Sequence, residues 1–319
     1  MADMISTIKS NVDIDIINYK VKTQLFDLIT FTESKYRNEI EVIAANIVYG
    51  NKKFVLLAGP SSSGKTTSCR KLCQEIRRHG KNAIAISLDD FFMNRDTYPK
   101  NPDGSYDFET FDILDVKKFN ECIDDLITKN ETDLPEFDFY TGKRKEKYNH
   151  ITVSSQDIIV IEGTHALNPN LLTITNVDKY FYKVYICTYT NFCKNGEIIL
   201  PAKLFRMLRR MIRDVQSRGT SIEETLKMWN NVCIGEDLYI KPYKNQANYL
   251  LDTTHLYEPY LYHKYLENVL NKNKDDKYAK ELLEKLSYFG YLTEEIVPSD
   301  SMIWEFLVKE KPTEDLLKF

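Results

Sequence analysis

Gly59-Pro60-Ser61-Ser62-Ser63-Gly64-Lys65-Thr66 reads G-x-x-x-x-G-K-[ST]. Two glycines at this spacing let the backbone curl until successive N–H groups face one anion. A lysine directly after the second glycine can reach a phosphate chain, and the hydroxyl of Thr66 suits a divalent cation. The loop must open a helix, because the first amides of a helix lack intrahelical acceptors and carry partial positive charge. Gly59, Ser61, Ser62, Ser63, Gly64, Lys65, Thr66 and Thr67 are therefore candidates for holding ATP, with Mg²⁺ as its counter-ion.

Acidic residues follow two further apolar runs. Ser87-Leu88-Asp89-Asp90-Phe91-Phe92 places paired carboxylates at the end of one. A carboxylate there can orient an acceptor hydroxyl and take its proton, although paired aspartates at a strand end also serve as helix N-caps. Glu162 follows Ile158–Ile161 and sits where a carboxylate can hold Mg²⁺ through water. His165, three residues on, either approaches the terminal phosphate or packs. The segment 202–219, AKLFRMLRRMIRDVQSRG, carries six basic residues and one acid. Arg206, Arg209, Arg210 and Arg213 fall on neighbouring helical turns, and guanidinium groups bind phosphate through a planar fork without losing charge. This segment reads as a lid that closes on ATP and shields the reaction from water.

These groups need a scaffold that brings loop ends together. Residues 54–58, 83–87, 158–161, 183–187 and 248–252 are short apolar runs without alternation, the pattern of parallel strands covered on both faces. Helical spacing appears at 66–79, 115–128 and 202–217 between them, and at 15–48, 256–270 and 278–289 towards the ends. Strands alternating with helices give an α/β fold of the P-loop NTPase type. It has a five-stranded parallel sheet, helices on both faces, and flanking N- and C-terminal helices. The domain boundaries follow: 1–50 an N-terminal helical extension, 51–255 the core with its arginine lid, and 256–319 a C-terminal helical extension. The stretch 99–104 (PKNPDG) reads as a surface turn.

The chain of 319 residues has 43 Lys and Arg against 47 Asp and Glu, a net charge of −4. That balance points away from a general nucleic-acid binder. Its 16 Phe, 21 Tyr and 2 Trp exceed what a disordered chain carries. No apolar run approaches a membrane span. The six cysteines form no C-x-x-C pair, which favours reduced thiols in a cytoplasmic protein over zinc ligands. Asn273-Lys274-Asp275-Asp276 matches a guanine-recognition motif, but it follows a helix rather than a strand.

GPSSSGKTT (59–67), SLDDFF (87–92), YDFETFDILD (106–115), LPEFDFYTGKR (134–144), IIVIEGTHALNP (158–169) and RMLRRMIRDVQSRG (206–219) together resemble the uridine kinase and phosphoribulokinase family. The similarity is greatest to its bacterial-type uridine kinase branch. It continues through SIEETLKMW (221–229) and LLEKLSYFGYLTEEIVP (282–298). The resemblance implies transfer of the γ-phosphoryl of ATP to a hydroxyl, most simply the 5′-hydroxyl of uridine or a related nucleoside. It implies Asp89 at the sugar hydroxyl and Mg²⁺, Asp107 at ribose hydroxyls, and Phe137 and Phe139 beside the base, with Tyr140 and Arg144 in the same segment. Glu162 would sit near the metal and Arg206 at the substrate. Arg209, Arg210 and Arg213 would close on the nucleotide. Lys65, Asp89, Arg206 and Arg210 would form the catalytic set. Two departures stand out. Phe137 and Gly142 occupy positions where uridine–cytidine kinases place a tyrosine and a histidine that contact the base. Cys233 and Ile234 stand where the bacterial branch has basic residues. The departures keep a second acceptor class open, a sugar phosphate as in phosphoribulokinase. An NTP-driven switch without an acceptor is a third reading. Expected partners are a small-molecule acceptor and a second copy through the flanking helices, with neither nucleic acid nor membrane.

Overall fold

Phe54–Ala58 (FVLLA) is buried at every position, and its side chains divide between two cores. Val55 and Leu57 face one layer; Phe54, Leu56 and Ala58 face the other. A strand covered on both sides has no polar face to show, which is why its sequence does not alternate. The computed structural model describes residues 10–101, 104–174 and 177–307. Within them, β1 (Phe54–Ala58), β2 (Asn82–Ser87), β3 (Asp157–Glu162), β4 (Phe181–Cys187) and β5 (Tyr249–Asp252) form one sheet in the order β5-β4-β1-β3-β2. All four pairings are parallel. The sheet and its covering helices are the doubly covered parallel fold expected for a P-loop kinase.

The helices of ten residues or more among the described residues are α1 (Ile14–Thr23), α2 (Leu25–Tyr49), α3 (Lys65–Arg78), α4 (Val116–Thr128), α5 (Ala202–Arg213), α6 (Ile222–Tyr239), α7 (Glu258–Lys272) and α8 (Lys277–Leu286). The helix read over 15–48 is two helices, interrupted at Gln24, which leaves helical geometry at φ −145° and ψ 41°. The arginine-rich helix ends at Arg213 and passes into a π-helical turn, Asp214–Arg218, before Gly219 turns left-handed at φ +65°. Such a turn widens the ladder by one residue.

Smaller sheets surround the main one. Asn11–Asp13 pairs in parallel with Asn191–Cys193, so the N-terminal stretch adds a strand that its sequence did not announce. Residues 191–194 and 197–200 form a hairpin across Asn195 and Gly196, both at positive φ. That is the backbone a tight hairpin turn requires. Hydrophobic packing does not stop at the borders of the core. Ile17, Ile40 and Ile47 from the N-terminal helices and Leu261, Leu282 and Phe306 from the C-terminal region share one cluster with Val55 and Val184 of the sheet. Residues 1–9 and 308–319, and 102–103 of the expected surface turn, lie outside the described residues. All six cysteines are free, and Cys69 and Cys73 are buried on α3. The Asn273–Asp276 stretch joins α7 to α8: Asn273 Nδ2 donates to Glu223, and Asp276 caps α8. Among the described residues no helix is long and apolar enough to cross a membrane.

Candidate active site

β1 runs straight into the glycine loop, and α3 leaves it. A methyl group on Gly59 would lie 2.0 Å from the carbonyl oxygen of Ile186 on β4, so the loop passes that strand without room for a side chain. Gly64 turns the loop into the helix at φ +87°, and Ser62 takes φ +58°. Ser62, Ser63 and Thr67 are buried, while Thr66 is exposed on the first turn of α3. The half-buried Lys65 folds back and donates to the carbonyl of Pro60 at 3.1 Å. Burial pulls its ammonium below the usual lysine range, and the charges of Glu162, Asp89 and Glu305 pull it back.

Asp89 and Glu162 close β2 and β3, which are neighbours, so both carboxylates stand at the C-terminal edge of the sheet beside the loop. Burial raises the Glu162 carboxyl to about 7; repulsion from Asp89 adds to this and Lys65 opposes it. Clusters of mutually perturbed groups in a cleft mark sites of chemistry more often than of structure. The aspartate pair divides its work. Asp90 accepts the backbone N–H of Phe137 at 3.2 Å and so ties the aromatic segment to the strand end. Among the described residues no three His, Cys, Asp or Glu side chains form a ready metal cage. The oxygen donors of Thr66, Asp89 and Glu162 suit Mg²⁺, which takes few protein ligands and several from phosphate and water.

The arginines depart from the lid reading. Of Arg206, Arg209, Arg210 and Arg213, the last two donate to a hydroxyl of the loop, at 3.3 and 3.2 Å from Ser61 Oγ. Arg206 is 2% exposed and gripped by both oxygens of Glu236; it also donates to the Ser61 carbonyl at 2.8 Å. Arg209 is fully buried, bound twice to Glu258 and to both oxygens of Thr253, whose hydroxyl donates to the Ser63 carbonyl. The charges of Arg206 and Arg209, expected at substrate and at ATP, are answered in this structure by Glu236 and Glu258. Both arginines brace the glycine loop from behind, because internal carboxylates claim their charge. Arg210 is also paired, with Asp214 at 3.3 Å. The helix stays buried because its charges are answered inside the fold.

The acceptor candidates separate into two groups. Phe137 is buried and stacks edge-on with Phe92 and Phe139, at 5.7 and 5.2 Å. Phe139 is half exposed, and Tyr140 is 96% exposed. Tyr140 stands outside that aromatic trio. Arg144 is spoken for by Asp115 at 2.9 Å and by the carbonyls of Phe91 and Phe92, so it props the turn after Asp89 instead of facing outwards. Gly142 lies against Arg95 at φ +69°, a backbone that a histidine would adopt only under strain. Asp107 lines a cleft of about 370 Å³ with Asn101, Glu109, Asn231, Gly235 and Tyr239, and the Tyr239 ring packs on His165 beside the site. Ile234 lines that cleft, whereas Cys233 is buried. His165 packs between Phe111 and Tyr239, and burial followed by the charge of Lys65 lowers it to about 4. Sequence reasoning missed Glu236, Glu258, Thr253 and Glu305. Only a lone acid in an apolar run (SMIWEFL, 301–307) hinted at the last.

A family model described as "Phosphoribulokinase / Uridine kinase family" matches residues 54–255. A uridine kinase of Ureaplasma parvum is 24% identical over 219 residues, 67% of this chain and 96% of that protein. A uridine kinase of Macrococcus caseolyticus is 27% identical over 199 residues, 61% of this chain and 85% of that protein. The solved structure of phosphoribulokinase from Rhodobacter spheroides superposes with a TM-score of 0.44 at 16% identity, over 62% of this chain and 68% of the other.

Proposed function

The chain belongs to the phosphoribulokinase/uridine kinase family and is an ATP-dependent kinase, and on that premise we propose that its acceptor is the 5′-hydroxyl of uridine or a related nucleoside. The observation that carries the reading is the cluster of Lys65, Asp89 and Glu162 where the loop and two strand ends meet. In it, Asp89 orients the acceptor hydroxyl and accepts its proton, while Lys65 balances charge on the moving phosphoryl. Gly59 to Thr67 hold the phosphates, and Arg210 and Arg213 stand beside Ser61 to answer added negative charge. Mg²⁺, bound through Thr66, Asp89 and Glu162, would draw electron density from the phosphate oxygens. Asp107 and Glu109 favour an uncharged, hydroxylated acceptor over a phosphorylated sugar, since a phosphate would meet two carboxylates across the cleft. Burial raises the Glu109 carboxyl, and the charge of Arg210 opposes that rise.

We read 51–255 as the catalytic core and the segments 1–50 and 256–319 as extensions that buttress it. The free cysteines suit a cytoplasmic setting. Purified protein with ATP, Mg²⁺ and uridine should form uridine monophosphate. Asp89→Asn should bind ATP as the wild type does and lose turnover by at least about 10²-fold. Full turnover in that variant would remove Asp89 from the mechanism. Turnover with sugar phosphates and with no nucleoside would replace the acceptor assignment.

A further inference from the structure

The glycine loop already holds an anion, and it comes from the far end of the same chain. Glu305 Oε2 accepts the backbone N–H of Thr67 at 2.9 Å. Thr67 is the third residue of α3, so its amide has no acceptor within the helix and is one of those offered to a phosphate. The Met302 thioether lies against Gly64, with sulfur 2.8 Å from where a β-carbon would stand. The charge of Glu305 is also felt at Lys65 and at Glu162. One short turn, Met302–Glu305, thus touches the second glycine and a helix-opening amide, and its charge reaches the lysine.

The turn is held on both flanks. Asp300 pairs with Lys71 and Arg37, at 3.5 and 3.6 Å. Ser301 donates to Glu33 of α2, and the Trp304 indole donates to the Pro298 carbonyl at 2.7 Å. Phe306 is fully buried beneath the Arg209 guanidinium, 4.7 Å from its ring centre. Most of this grip lies outside the loop, so the carboxylate can leave Thr67 while the anchors on α2 and α3 remain.

Resting on the reading of Gly59–Thr67 as the nucleotide site, we propose that segment 300–307 is an autoinhibitory contact in which the Glu305 carboxylate occupies a phosphate position. A polyphosphate and Glu305 cannot both take the Thr67 amide, and two anions around Lys65 repel. Nucleotide binding therefore selects the state in which Glu305 is withdrawn, and the apparent affinity falls by the fraction of molecules in that state. If Glu305 serves the fold alone and the polyphosphate makes no use of the Thr67 amide, replacing Glu305 leaves binding unchanged or weaker.

The full chain is labelled with 5-fluorotryptophan, and the Trp304 resonance is assigned by Trp304→Phe. Binding of ATP and of inorganic tripolyphosphate is measured without added metal by calorimetry, for the wild type, Glu305→Gln and Glu305→Ala. Both variants should bind both probes about tenfold more tightly than the wild type, and tripolyphosphate alone should shift the Trp304 resonance. Unchanged or weaker binding in correctly folded variants overturns the proposal, as does saturation that leaves Trp304 unmoved. Those results would leave the nucleotide site itself standing. If none of the three proteins binds either probe, the nucleotide-site reading falls together with the autoinhibitory one.

Discussion

Glu236→Gln should expose how much the glycine loop depends on the charge buried behind it. Glu236 is fully buried and Arg206 is 2% exposed, so neither charge is answered by water. Replacing the carboxylate leaves the guanidinium with the Ser61 carbonyl at 2.8 Å and the Trp229 ring at 5.4 Å as its main partners. Removing one member of a buried pair costs about 3–5 kcal/mol. With an unfolding entropy of about 2.1 cal/mol/K per residue, that corresponds to a fall in Tm of roughly 5–8 °C for a chain of this length. Arg206→Met should cost a similar amount by stranding Glu236. Arg206→Met combined with Glu236→Leu removes both charges and should recover stability to within about 1.5 kcal/mol of the wild type. Urea titrations of the four proteins give the cycle directly. A stranded Arg206 should also pull on Ser61, so ATP binding should weaken in the single variants more than fold stability alone explains. If the single variants each cost under about 1 kcal/mol, or add up to the double variant, the pair is not the buried brace described above.

Further outcomes test other parts of the site. Gly59→Ala forces a methyl group against the backbone of Ile186, which cannot swing aside as a side chain would; ATP binding by calorimetry should drop more than tenfold and Tm should fall. Burial raises Glu33, but its bonds and charge contact with His255, then Ser301 and Tyr257, win and bring it down to about 2. The stabilisation is present above pH 4.5, the unfolded value, and is lost as pH falls through about 2. Its ceiling is about 3 kcal/mol from the 1.36 kcal/mol per unit relation, and Glu33→Gln should flatten the acid limb of the stability curve measured by urea titration. Arg144→Met frees Asp115 and the Phe91 and Phe92 carbonyls, so KM for the acceptor should rise severalfold in steady-state assays while KM for ATP holds.

The five strands were legible to within a residue or two because parallel strands covered on both faces must be apolar throughout, as Phe54–Ala58 is. The glycine loop was legible because its chemistry is local: eight consecutive residues and the two elements flanking them. Asn11–Asp13 was not, since it joins Asn191–Cys193 by backbone pairing and carries no apolar pattern of its own. The hairpin across Asn195-Gly196 had a readable turn signal between two strands, and only its shortness hid it. The arginine helix is legible in place, at Ala202–Arg213, but the partners of its charges are not. Charge on a helix does not say whether solvent, ligand or an internal carboxylate answers it. Here the answers lie 30 residues away in Glu236 and 49 away in Glu258. The Thr67–Glu305 contact spans 238 residues, beyond the reach of any local pattern.

Charge placement explains why these distant partners matter. In this state Lys65 is the one loop lysine facing Asp89, Glu162 and Glu305, three carboxyls that together outweigh it. Adding a triphosphate to that arrangement brings further negative charge to the same volume, and low local polarity makes the repulsion steep. Three adjustments can relieve it. Glu162, raised to about 7, can hold a proton near neutral pH; a divalent cation can bridge carboxylates and phosphates; and Glu305 can withdraw. Each has a different signature. Proton uptake makes binding depend on buffer ionisation enthalpy, a cation makes it depend on Mg²⁺, and withdrawal makes it depend on Glu305. The buried arginines contribute little to this balance, because Glu236 and Glu258 already neutralise Arg206 and Arg209. Arg210 and Arg213, which share Asp214, add what positive charge the helix has left to these three adjustments. A site whose cations are answered inside its own fold before the nucleotide arrives is one whose affinity can be set by residues far from the loop.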